Sequence, residues 1–182
     1  GLCASMASGI KAQFGTMGKP LNAGLAARTG VEATLWAQAG VTAAKDGLAG
    51  PLGFAETHHG QSNDVKPGKG AWHITTISHK FHACCHGTHA ALEALISLRN
   101  EHWIRPAEIE EIEITVHPQY LDICNITNPE TGLEAKFSYQ MVAALAMHEH
   151  DTARMETFND AVCQDANILA LRDRVRLKTT SL

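Results

Sequence analysis

Glu108-Ile-Glu-Glu-Ile-Glu-Ile-Thr-Val116 decides the fold class of the second half of this 182-residue chain. From Ile112 onward apolar and polar residues alternate, the pattern of a half-buried β-strand whose successive side chains leave opposite faces. Its glutamates then read as the exposed face of a strand and not as a metal site. Just before it, leucine and isoleucine at 92, 95, 96 and 98 recur at helical spacing, which predicts a helix over 90–99. After it come Pro118, Tyr120, an Asn-Pro turn at 128–129 and an apolar helix from Phe137 to Met147. A short helical piece begins at Asn159, and Arg174-Val-Arg-Leu-Lys178 alternates as a second strand. The second half is therefore α+β.

The first half is mostly helix. Leu2 to Phe14 reads as a helix already under way, with no N-cap before it, so the chain is expected to be a piece of something longer. Phe14-Gly-Thr-Met-Gly-Lys-Pro-Leu-Asn-Ala-Gly24 interrupts it. A second helix then runs to about Ala39 and stops at Gly40 in the C′ position. Its many small residues suit the inside of a helical bundle. The polar stretch from His58 to Gly70 reads as a loop, and a boundary falls near residue 75. The fold expected is mostly α with an α+β part.

Composition narrows the function. Hydrophobic residues make up 45%, enough for a packed core, and no apolar run reaches the length of a membrane span. A net charge of −4 gives no electrostatic basis for nucleic-acid binding. Five cysteines without a C-x-x-C pair or a regular framework point to a reducing, cytoplasmic setting. Trp36, Trp72 and Trp103 read as packing residues.

Chemistry concentrates in His79-Lys-Phe-His-Ala-Cys-Cys-His-Gly-Thr-His89, where four histidines, two cysteines and a lysine precede a helix. One reading is a metal site, with His82 and His86 four apart on one helix face. The ligands are crowded, however, and zinc usually draws them from separated segments. A second makes Cys84 or Cys85 a nucleophile or redox thiol, with Cys85 and His89 sharing a face. The third makes the histidines proton-transfer or carboxylate-binding groups. Lys80 repeats the setting of Lys19, a lysine shortly before a helix N-terminus, where free N–H groups favour anions. Two such lysines suit the carboxylates of one small polyacid; the alternative is a pair of solvated lysines. His58-His59, His148 and His150 read as solvated.

Three pieces, Ala12-Gln-Phe-Gly-Thr-Met-Gly-Lys-Pro-Leu-Asn-Ala-Gly24, Cys84-Cys-His-Gly-Thr-His-Ala-Ala-Leu92 and Asn128-Pro-Glu-Thr-Gly-Leu-Glu-Ala-Lys-Phe-Ser138, together resemble the MmgE/PrpD family. That family includes 2-methylcitrate dehydratase, cis-aconitate decarboxylase and iminodisuccinate epimerase. The resemblance implies a partial chain lacking the N-terminal helical region: residues 1–75 from an all-α domain, then a smaller α+β lid domain over 76–182. It also implies a cofactor-independent, metal-free lyase or isomerase that works as a homodimer on a small polycarboxylate. The family's active-site lysines match Lys19 and Lys80. His86 and His89 join them as catalytic candidates, with Cys85 and Thr88 beside the lysines in substrate binding. Asn22 stands where family members commonly have histidine, and Met141 where they often have tyrosine. Two rivals stay open: a non-catalytic remnant that binds a polyacid or partner, and a metal or thiol-redox module at 79–89. The sequence does not name the substrate or choose among dehydratase, decarboxylase and epimerase.

Overall fold

A computed structural model describes residues 1–58, 70 and 72–180. Most of the loop expected at 58–70, including His59, lies outside them. The chain divides into two compact units, residues 1–13 with 18–77, and residues 14–17 with 78–182.

The first unit carries α1 (Leu2–Met6), α2 (Gly18–Gln38) and α3 (Phe54–Thr57). The expected first helix is much shorter than its composition suggested. It stops at Met6, and Lys11–Gln13 form a single 3-10 turn after Gly9, which takes φ +114°. The helix α2 begins at Gly18, inside the glycine-rich stretch, because Pro20 falls in its first turn, where a missing N–H costs no hydrogen bond. Gly40, at φ +90°, ends the helical run as expected. Ala33 is the only buried residue of α2, and Leu21, Val31, Leu35 and Trp36 are exposed. A helix in a folded protein gains most of its stability from packing, and here these apolar side chains are uncovered among the described residues.

The second unit holds α4 (His89–His102), β1 (Ile112–Val116), α5 (Leu121–Cys124), α6 (Gly132–Ala135), α7 (Tyr139–Met147), α8 (Ala166–Arg172) and β2 (Val175–Thr179). The strand β1 alternates strictly, burying Ile112, Ile114 and Val116 and exposing Glu113 and Thr115. It pairs in parallel with β2, Ile112 opposite Val175 and Val116 opposite Thr179. Glu113 meets Lys178 across the pair at 2.5 Å on the exposed strand face, whereas Glu108 ends a 3-10 turn and Glu110 and Glu111 precede the strand. Parallel pairing requires a long crossover, which α5 to α8 provide. The centre of the unit is α7, packed against α4, α8 and β2. Eight of its residues are buried: Tyr139 and Met141 to Met147. Ser138 caps it by accepting from the Met141 N–H at 3.1 Å. Leu92 and Cys124 complete this core with no exposed surface.

The tryptophans are not packing residues. Trp72 and Trp103 are 83% and 86% exposed, and Trp103 occupies the left-handed C-cap of α4, where glycine is usual.

Candidate functional site

The stretch His79 to His89 is less helical than its sequence neighbours imply. Residues 77–85 form no helix, His86–Thr88 make one 3-10 turn, and α4 starts only at His89. Lys80 therefore lies nine residues before α4, not two or three. Lys19 stands inside the first turn of α2, in the other unit. The two lysines thus do not share a local setting, and His82 and Cys85 do not share a helix face with His86 and His89.

The strand-like segment is held by backbone bonds. The Ala83 N–H donates to Thr152 O at 2.8 Å, and the Cys85 N–H donates to Lys136 O at 2.9 Å. Lys80 Nζ donates to Cys84 O at 3.0 Å, so one of its three protons steadies the loop while the residue stays exposed. Thr88 is fully buried, and its hydroxyl donates to Cys85 O at 2.8 Å. Cys84 Sγ lies 3.1 Å from the same hydroxyl. Burial pushes the Cys84 thiol up, with Cys85 adding to the effect and the Thr88 bond opposing it. A raised pKa keeps Cys84 a thiol and makes it a poor nucleophile.

Gly87 is required by space. A Cβ there would fall 2.8 Å from a Tyr120 ring carbon and 3.1 Å from Cys124 Sγ. Its carbonyl accepts the Tyr139 hydroxyl at 2.6 Å, tying the turn to α7.

Three imidazoles meet at the start of α4. The His89 ring lies 5.0 Å from His82, nearly perpendicular to it, and 5.2 Å from His86. His89 bonds the Cys84 carbonyl, while its Nε2 is buried and has no partner among the described residues. A carbonyl only accepts, so a neutral ring that donates to it through Nδ1 leaves a bare lone pair at Nε2. Burial lowers the His89 pKa, and His82, His86 and Lys80 lower it further, against a small opposing effect of the Cys84 carbonyl. Exposed His86 and half-buried Cys85 flank it. The cluster thus sets one basic imidazole nitrogen beside two further imidazoles and the Lys80 ammonium, a setting that favours an anionic ligand. Among the described residues no group of three or more His, Cys, Asp or Glu could hold a metal ion.

His82, a metal-ligand or proton-transfer candidate by its sequence, is instead bonded within the fold. It is 7% exposed, with Nδ1 2.8 Å from Thr152 Oγ1 and Nε2 2.9 Å from Glu93 Oε1. Nothing local signals a partner seventy residues away. Lys136 was also passed over as a charge; its ammonium lies 5.6 Å over the Phe158 ring, and its carbonyl receives the Cys85 N–H.

No helix among the described residues is long and apolar enough to cross a membrane. No curated protein matches the chain. The family model described as the MmgE/PrpD C-terminal domain matches residues 82–181, a span that takes in the three-imidazole cluster, the core around α7 and both strands. The chain belongs to the MmgE/PrpD family.

Proposed function

We propose that the protein is a lyase or isomerase that removes a proton, or a carboxylate group, next to a carboxylate of a small di- or tricarboxylate. The observation that carries this reading is His89 Nε2, a basic nitrogen buried without a partner among the described residues, beside His82, His86 and Lys80. In this reading His89 takes the proton, and His86 returns or relays one. Lys80 holds a substrate carboxylate and offsets the negative charge that develops on the adjacent carbon, an electrostatic effect that is often the largest part of catalysis. The family resemblance implies Lys19 as a further carboxylate contact. Cys85 and Thr88 form the wall beside Lys80, Thr88 by holding the turn. The chemistry calls for no metal or organic cofactor.

Kinetics of the protein on a panel of di- and tricarboxylates test this. His89→Gln is expected to lose about 100- to 10,000-fold in kcat, the usual contribution of a positioned base. Lys80→Ala should lose activity and raise KM. Unchanged turnover in the Lys19→Ala, Lys80→Ala double variant sinks the mechanism.

A second reading, polyacid binding without turnover, is favoured by Met141, fully buried in α7 where the family often has tyrosine, and by Asn22, whose amide turns back to Ile10 O at 3.4 Å. Calorimetric binding of a polyacid with no product formed separates it from the first. The exposed apolar side chains of α2 support the homodimer that the resemblance implies. A purely monomeric sedimentation profile at tens of micromolar contradicts that assembly.

A further inference from the structure

His82 belongs to no role assigned so far, yet it is the most tightly held side chain of the cluster. Thr152 receives this stretch twice, its carbonyl taking the Ala83 N–H at 2.8 Å and its hydroxyl meeting His82 Nδ1 at 2.8 Å. Glu93 takes the other ring nitrogen at 2.9 Å. A carboxylate only accepts, so Nε2 of His82 carries a proton, while Nδ1 pairs with the buried Thr152 hydroxyl. Glu93 lies four residues after His89 on α4, on the same helix face. The His82 ring therefore lies across that face, bonded to Glu93 and set nearly perpendicular against His89.

We infer that His82, clamped between Glu93 and Thr152, is a positioning residue that acts through His89, holding that ring so that Nε2 stays shielded and unprotonated at rest. The groups that face His89 are His82, His86, Lys80 and the Cys84 carbonyl. Of these, His82 alone among the three side chains is buried and fixed at both ring nitrogens; Lys80 and His86 are exposed. A clamped neighbour maintains the burial that comes first among the causes of His89's lowered pKa. Releasing the clamp lets the ring tilt and water reach Nε2, and the imidazole then becomes easier to protonate.

The inference rests on His89 as the base proposed above, so the test needs no substrate. Nitrogen-15 NMR of labelled histidines in the 182-residue chain reads tautomer and titration midpoint of each ring. In the parent, His82 is expected as the Nε2–H form and His89 as the Nδ1–H form, titrating below the ordinary imidazole range. Glu93→Ala is the deciding variant, because its side chain is 65% exposed and its loss leaves the core intact. Deleting a carboxylate lowers a neighbouring imidazole's midpoint if charge alone acts, whereas release of His82 raises it. A rise of the His89 midpoint toward about 6.5, with its tautomer becoming mixed, supports the inference. A fall, or no change, overturns it. Thr152→Val, which removes only the Nδ1 partner, is expected to move His89 in the same upward direction. An unmoved His89 in this variant also counts against the clamp. Neither result bears on whether polycarboxylates are turned over.

Discussion

Tyr139→Phe deletes one oxygen at the junction between the core helix and the site turn. Tyr139 is 1% exposed, and its hydroxyl donates to Gly87 O at 2.6 Å. Burial, with Cys124, Tyr120 and Cys85 adding to it, pushes the phenol far above its ordinary range, so the group is a donor throughout the neutral range. Removing it leaves the Gly87 carbonyl without that donor inside a turn packed against Tyr120 and Cys124. An unsatisfied buried acceptor costs about 1–3 kcal/mol, and a unit of roughly a hundred residues loses about 4–8 °C in Tm per kcal/mol. The variant should thus melt at least about 4 °C below the parent, with an unchanged urea m-value because the same surface is exposed on unfolding. Since the phenol stays protonated, the deficit should be equal at pH 6 and pH 8. Faster hydrogen exchange is expected at the amides of Thr88 and His89, just beyond the released carbonyl. Thermal melts within 1 °C of each other refute the reasoning, because they mean that Gly87 finds another donor at no cost.

Gly132→Ala places a Cβ 2.3 Å from Phe158 O and 2.5 Å from Asn159 Cα, backbone atoms that cannot swing aside. Overpacking of this kind costs about 1–3 kcal/mol, read as a lower urea midpoint; an unchanged midpoint contradicts the close approach. Ser138→Ala removes the cap of α7 and should cost about 1 kcal/mol by the same assay, whereas Ser138→Thr, which keeps the oxygen, should cost less. His89 has a folded pKa below its unfolded one, so between those two values the unfolded chain binds more protons and stability rises with pH. Its contribution is complete above about pH 6.5 and is lost as pH falls toward the depressed folded value. The parent should therefore lose more stability between pH 7.5 and pH 5.5 than His89→Gln does; equal losses exclude His89 as the source.

Periodic segments were legible from sequence because local patterning decides them. The alternation at Ile112 to Val116 reflects one buried and one wet face, and Leu92 with Ile96 marks the inner side of α4. Gly40 was readable because a left-handed C′ position selects glycine. What the sequence hid depends on distant partners. The segment before α4 stays extended because Thr152 and Lys136 draw its backbone away from a helical course, and neither residue is near it in sequence. His82 looked like a candidate ligand because its burial and its bond to Thr152, seventy residues on, are tertiary facts. Trp103 reads as core by residue type, yet a helix end places it in solvent. Lys19 and Lys80 looked alike because the composition around them is alike, but one starts a helix and the other precedes eight residues of loop and turn.

The central claim is that this cluster removes a proton next to a carboxylate. Its most direct measurement is proton NMR of di- and tricarboxylates incubated with the protein in D2O, which reports carbanion formation even where no product accumulates. The account predicts loss of the signal from a C–H beside a carboxylate of at least one polyacid. It also predicts that His89→Gln slows this exchange about 100-fold or more while Lys80→Ala weakens its saturation. Exchange that is absent from every polyacid tested, or that proceeds equally fast in His89→Gln, contradicts it.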